Sequence, residues 1–242
     1  MDLLKDKVVL LTGAGGGIGR ATAEKLAQCS MKIILFGGNN VEKLKQTQEI
    51  VEQHSDCLAV AGDLTNPDFI KTGVQKAAAY FGGLDVLINN AGVAQNTAFE
   101  DISLEEFDKI MAINLRTPFI LTQQVLPYLK NSSSATIINI ASVVSHAGYP
   151  QQSIYTASKH ALLGMTKSIA REYYKDNIRV HAIAPGGVYT DMVKVSRPDL
   201  TPDGMILPSD IADIVHFFLA NRGNAVIDEI IVHRVGKEPF LV

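Results

Sequence analysis

The chain has 242 residues, 47% hydrophobic and 19% charged, a balance that suits one well-buried α/β domain and excludes a disordered tail. Its 22 basic and 25 acidic residues leave a formal charge of -3, and no basic run is present to follow a phosphate backbone, which excludes nucleic acid as a partner. The apolar runs fall far short of the ~18 residues of a membrane span, and Met1 leads through Asp2, Lys5, Asp6 and Lys7 into a strand with no signal peptide, so the expectation is a cytoplasmic protein with no membrane contact.

Strand-like apolar runs are predicted at Lys7 to Thr12, Lys32 to Phe36, Cys57 to Ala61, Leu84 to Asn89, Ala135 to Ala141, Ile178 to Ile183 and Ile227 to His233, with helix-length amphipathic segments between them. Runs without polar alternation suit a parallel sheet buried on both faces, and right-handed crossovers then place helices on each face. The predicted fold class is therefore α/β, one doubly wound domain over residues 1–242 with a seven-stranded parallel sheet.

The first strand runs into Thr12-Gly13-Ala14-Gly15-Gly16-Gly17-Ile18-Gly19 and then a helix. Glycines allow positive φ and close backbone approach, while the N–H groups and dipole at the helix start attract a phosphate. A plain tight turn is the competing reading; a Walker-type loop is not, because no Gly-Lys-Ser/Thr follows, and ATP is disfavoured. Gly37-Gly38-Asn39-Asn40 follows the second strand, where an acid would bind the ribose 2′-hydroxyl of NAD or an arginine the phosphate of NADP. With neither present, Asn39 and backbone amides accommodate either coenzyme, and Lys43 lies close enough in sequence to tilt the reading slightly to NADP.

Cys29 falls on a predicted helix and Cys57 opens the third strand; with six scattered histidines and no His-Glu-x-x-His, they read as buried reduced thiols, and no metal is predicted. Asp63, past the third strand, reads either as an acceptor for an adenine amino group or as a solvated loop aspartate. Asn89-Asn90-Ala91-Gly92 ends the fourth strand, where small residues let a cofactor lie on the backbone and the amides brace neighbouring strands; a polar turn is the alternative. Ser103 with Glu106 predicts a capping box and one helix to about Leu129. Within it, Pro118 removes the N–H that would bond the carbonyl of Asn114, which either kinks the helix or frees that carbonyl for a water.

Ser142 closes the fifth strand and has no Gly-x-Ser-x-Gly elbow, so it reads as a polariser of a bound carbonyl rather than a nucleophile. Tyr155 and Lys159, four apart, share one helix face. An ammonium ~4 Å from the phenol at an effective dielectric of ~20 contributes about 4 kcal/mol, roughly three pKa units, which predicts a Tyr155 made more acidic and able to move a proton. Val93, Gln95, Val144, His146, Tyr149 and Gln152 are expected to flank the carbonyl. Ala157, Ala161, Gly164 and Ser168 form a small-residue stripe away from Tyr155 that admits a second helix, internal or from another subunit. Pro198, Pro202 and Gly204 predict a loop or short lid between Thr190 and Pro208, and Pro208 starts a helix ending near Asn221.

Together Thr12-Gly13-x-x-x-Gly17-x-Gly19, Asp63, Asn89-Asn90-Ala91-Gly92, Asn114, Ser142, Tyr155-x-x-x-Lys159 and Pro185-Gly186-x-Val188-x-Thr190 resemble the short-chain dehydrogenase/reductase family over nearly the whole chain. The resemblance implies a Rossmann fold and an NAD(P)-dependent oxidoreductase that moves hydride between nicotinamide and a small-molecule carbonyl or secondary alcohol. In it Asn114, Ser142, Tyr155 and Lys159 are catalytic, Lys159 also holds the nicotinamide ribose, and Gly13, Gly17, Ile18, Gly19, Asn39, Asp63, Asn90, Ala91, Gly92, Pro185, Gly186, Val188 and Thr190 bind coenzyme. It further implies a homodimer or homotetramer. The chain departs from the family's acyl-carrier-protein reductases in its tail, Arg234-Val235-Gly236-Lys237-Glu238-Pro239-Phe240, which lacks their Asp-Gly-Gly ending, and in a short segment after Thr190. A 3-oxoacyl thioester reductase and, outside the class, a non-catalytic dinucleotide-sensing regulator are the alternatives.

Overall fold

The structure is a computed structural model that describes residues 3–38, 40–196 and 201–238. Seven parallel strands, β1 (Val8–Thr12), β2 (Lys32–Phe36), β3 (Cys57–Val60), β4 (Val86–Asn89), β5 (Thr136–Ile140), β6 (Arg179–Pro185) and β7 (Glu229–Val232), form one sheet in the order β3-β2-β1-β4-β5-β6-β7. The apolar runs thus pair as their lack of alternation requires. Successive residues feed opposite cores: Val9 and Leu11 of β1 join Ile33 and Leu35 of β2 on one face, while Val8 and Leu10 join Ile34 and Phe36 on the other.

Helices α1 (Gly17–Gln28), α2 (Val41–Val51) and α8 (Pro208–Ala220) cover the first face. Helices α3 (Pro67–Phe81), α5 (Thr117–Leu129) and α6 (Ser153–Tyr173) cover the second. Side chains such as Leu10, Leu11, Leu35 and Ile137 are fully buried, each contributing about 1.5–3 kcal/mol of transfer free energy. Because β1 pairs with both β2 and β4, the chain leaves the sheet in opposite directions at that point and opens a crevice above the carboxyl ends of the two strands.

Several expectations change in detail. The helix predicted from Ser103 to about Leu129 is α4 (Leu104–Met111), one widened π turn over Ala112–Arg116, and α5. Pro118 has no N–H for the Asn114 carbonyl, and the bonding shifts outward by one residue, with Thr117 N donating to Ala112 O. Only half of the predicted capping box forms: Ser103 Oγ accepts from Glu106 N at 3.1 Å, but the Glu106 carboxylate takes the Thr97 hydroxyl at 2.8 Å instead. The segment after Thr190 is not all loop, since α7 (Asp191–Ser196) interrupts it and Val188 pairs with Ile206 on the return. β6 runs two residues past its predicted end, Ala184 and Pro185 pairing with Ile231 and Val232. Cys29 and Cys57 are half-buried rather than buried, and burial pushes the Cys57 thiol up to about 12.

A relay of buried amides ties β4, β5 and α6 together. Asn89 Nδ2 donates to Asn139 Oδ1, Asn139 Nδ2 donates to Thr166 Oγ1, each at 2.8 Å, and Thr166 donates back to the Leu162 carbonyl. Polar groups in so dry a place specify register, because any slip would leave them unpaired.

Candidate active site

One cavity opens at this crevice, lined by the Gly13 to Ile18 turn, Lys43, Asn90-Ala91-Gly92, Ile140 to Ser142, Tyr155, Lys159, Pro185, Gly186, Val188 and Thr190 to Val193. Its floor is the glycine turn. Gly13 has φ 69 and lies so close to Ala91 that a Cβ would sit 2.9 Å from the Ala91 Cα; a Cβ on Gly19 would run into the Gly13 carbonyl oxygen. Helix α1 therefore packs directly on the turn. Its N-terminus has no side-chain cap and no acid in the first turn, and a Cβ on Gly16 would meet nothing within 4 Å. Orphan N–H groups beside open space, with no acid in the helix's own first turn, fit a pyrophosphate.

Thr12 and Asn90 fix that floor to the next strand. The Thr12 hydroxyl accepts from the backbone amides of Asn90 and Ala91, both at 3.0 Å, and Asn90 Nδ2 donates to the carbonyls of Thr12 and Gly13 at 3.0 and 3.2 Å. The bracing expected of the asparagines is thus present, and Thr12, which opens the glycine motif in the sequence without a role of its own, holds the neighbouring backbone.

The opposite wall holds the titratable side chains Tyr155 and Lys159. Ser142 sits just past β5, where its hydroxyl meets the Pro185 carbonyl at 3.4 Å, and it hydrogen-bonds the Tyr155 phenol. Lys159 is 4% exposed; its Nζ donates to the Ile140 carbonyl at 2.7 Å and stands 5.9 Å from the centre of the Tyr155 ring. Asn114 is fully buried, and its side chain pairs with both the N–H and the C=O of Val93 at 2.9 Å while Nδ2 also reaches Ser158 Oγ at 3.1 Å. The structure therefore brings Asn114, Ser142, Tyr155 and Lys159 together.

The acidities differ from the expectation. Burial pushes the Tyr155 phenol above its ordinary value, with the Ser142 hydrogen bond pulling the other way, and burial lowers Lys159 from 10.5 to about 8. Desolvation outweighs the through-space attraction that the four-residue spacing suggested. A raised phenol pKa keeps Tyr155 protonated at neutral pH, the state a proton donor needs.

Other predicted residues separate. Asp63 is absent from the cavity lining: its carboxylate accepts from Thr65 N at 2.8 Å, and the Thr65 hydroxyl spans both its oxygens. Asn39 lies outside the described residues. Gln95 turns its oxygen to the start of α6 and His146 pairs with Glu229 at 2.6 Å, so neither joins the cavity lining. The described residues include no cluster of His, Cys, Asp or Glu that could hold a metal ion, and no helix long and apolar enough to cross a membrane.

Residues 7–201 match the family described as short chain dehydrogenase. This chain belongs to that family. It is 33% identical over 240 residues to the 3-oxoacyl-[acyl-carrier-protein] reductase FabG of Thermotoga maritima, covering 94% of this chain and 96% of that one. Its fold is similar to a short chain dehydrogenase from Mycobacterium paratuberculosis bound to NAD, with a TM-score of 0.86, 29% identity, and 95% and 97% of the two chains covered. The same TM-score relates it to a Burkholderia cenocepacia short chain dehydrogenase in complex with NADP, at 26% identity and the same coverage. Membership makes the chain an NAD(P)-dependent oxidoreductase.

The displaced amine has a measurable signature. A lysine whose pKa falls from 10.5 to about 8 on folding costs stability wherever the folded state is charged, so the penalty is full below pH 8 and disappears above 10.5. Lys159→Met is expected to raise the stability of the coenzyme-free protein at pH 7 by up to about 3 kcal/mol. The gain should shrink as pH rises through that window, read by urea denaturation at stepped pH; a gain that grows with pH would contradict the assignment.

Proposed function

We propose that this chain reduces a small carbonyl compound, or oxidises the matching secondary alcohol, with Tyr155 as proton donor and acceptor. The observation that carries the reading is a phenol hydrogen-bonded to Ser142, one turn from a buried amine, across a cavity from an uncapped glycine turn. A nicotinamide coenzyme supplies or takes the hydride. Tyr155 delivers the proton to the substrate oxygen, Ser142 holds that oxygen, and Lys159 stabilises the phenolate left behind and grips the ribose. The Asn114 carbonyl, relieved of its helical partner by Pro118, holds the water that returns a proton to Lys159. Gly13, Gly17, Ile18, Gly19, Asn90, Ala91 and Gly92 carry the coenzyme's phosphates and inner ribose, and Pro185, Gly186, Val188 and Thr190 its nicotinamide; Asn39 and Asp63 are assigned to the adenosine end. The tail without Asp-Gly-Gly argues for a small keto compound over a 3-oxoacyl thioester.

The coenzyme we favour is NADP. Gly37 has φ 78, and the space a side chain would need there is filled by Leu64, so no acid stands at the end of β2 to repel a 2′-phosphate. Lys43 packs over Gly15 and lines the cavity. Its Nζ is 3.1 Å from Asp191, which keeps Lys194 at 3.7 Å as a second partner if Lys43 turns to a phosphate. We also propose that residues 1–242 act as one cytoplasmic domain assembled as a homodimer or homotetramer. Ala157, Gly164 and Ser168 on α6 are exposed with Ala161 half-buried between them, which supports a second copy of the helix there.

With a panel of ketones, Tyr155→Phe is expected to lower kcat by ~10²–10⁴ while coenzyme affinity is unchanged; robust turnover by the variant rejects the mechanism. Lys43→Gln should raise KM for NADPH roughly tenfold and change KM for NADH less than about twofold. A wild type that favours NADH tenfold or more overturns the coenzyme assignment. Light scattering at micromolar concentration should give the mass of a dimer or tetramer, and a monomer mass refutes the assembly.

A further inference from the structure

The first turn of any helix presents N–H groups that its own carbonyls cannot reach. In α6 that turn carries Tyr155, and the helix does little to satisfy it. Gln152, in front of it, forms no side-chain cap, and Ser153 Oγ is buried without a partner. Thr156 N is met by the Gln152 carbonyl at 2.7 Å. The amides of Ile154 and Tyr155 instead donate to a single atom from another segment, Oε1 of Gln95, at 2.9 and 3.3 Å. Gln95 is 2% exposed and its Nε2 has no partner, so the side chain is held through its oxygen.

The segment that supplies this oxygen is itself tied at both ends to the active site. Val93 is clamped by the Asn114 side chain, and Thr97 N donates to the Gln151 carbonyl at 3.0 Å, just ahead of α6. A carboxylate at position 95 would cap as well, yet it would put a negative charge beside Tyr155 and raise further a phenol pKa that burial already raises. An amide gives the acceptor without the charge.

We propose that Gln95 is a positioning residue for the proton transfer: by accepting from the amides of Ile154 and Tyr155 it sets where α6 begins, and through that where the phenol stands relative to Ser142. The proposal rests on Tyr155 being the proton donor. Gln95→Leu removes the acceptor at similar size and is expected to lower kcat about five- to tenfold while KM for the reduced coenzyme stays within about twofold. Gln95→Glu restores the acceptor, so its plateau kcat should return close to wild type, with the pH limb that reports Tyr155 moved to higher pH. A Leu variant that loses thermal stability but keeps kcat overturns the proposal, as does an equal loss in the Leu and Glu variants at every pH. If the Leu variant does not fold, amide hydrogen exchange on the wild-type protein decides: protection at Ile154 and Tyr155 comparable to the second turn of α6 supports the cap, and rapid exchange refutes it. That readout is independent of Tyr155 chemistry, so turnover by Tyr155→Phe would reject the proton donor and leave the cap itself standing.

Discussion

The site is organised around a primary amine kept in the protein interior, with no carboxylate among the described residues to neutralise it. Burying an unpaired ammonium is costly, and the chain meets that cost with a strand carbonyl: β5 stops at Ile140, whose oxygen takes Lys159 Nζ. The neighbouring contacts hold that arrangement in place. The Lys159 carbonyl receives the Ser145 hydroxyl at 3.0 Å, and Ser158, the residue before it, bonds Asn114. Helix α6 is thereby pinned along the carboxyl edge of the sheet, and Tyr155 one turn earlier has little freedom to stand anywhere but beside Ser142. The lowered pKa of the amine and the raised pKa of the phenol are consequences of the same dryness.

Opposite this wall, close approach replaces charge. The glycine turn, the Ala91 backbone and the first turn of α1 meet at distances that only bare Cα positions permit, and the resulting uncapped helix end suits an anion. In the proposed function oriented N–H groups would hold the phosphates, and discrimination between coenzymes would fall to the rim, where Lys43, Asp191 and Lys194 exchange exposed ion pairs. Such pairs are individually weak, which leaves them free to rearrange around a ligand. The two halves of the site therefore use different physics: rigid packing for binding, and desolvation for acidity.

Between the halves runs a set of side-chain hydrogen bonds that makes the sheet register and the site geometry one problem. Asn89, Asn139 and Thr166 link β4 and β5 to α6, Asn90 links β4 to the turn after β1, and Asn114 links the widened turn between α4 and α5 to Val93. Asn89, Asn114 and Asn139 are buried where an apolar residue would pack with less penalty. Their joint effect is specificity of arrangement, because a slip of β5 would take Asn139 from both Asn89 and Thr166.

The strands, the glycine turn and the candidates Ser142, Tyr155 and Lys159 that share one cavity were legible in the sequence. Apolar runs without alternation can be buried only in a sheet covered on both faces, and Gly13, Gly17, Gly19, Ser142, Tyr155 and Lys159 belong to local patterns whose spacing carries their meaning. What the tertiary structure decided were the long-range partners and the strength of the local field. Pro118 was readable as a break, but the widened turn it produces depends on what packs around it. Gln95 was readable only as a neighbour of the site, since its target lies about sixty residues on in α6. The four-residue spacing of Tyr155 and Lys159 suggested a lowered phenol pKa, whereas burial raises it, because desolvation is set by every element packed around a group and no local pattern records that sum.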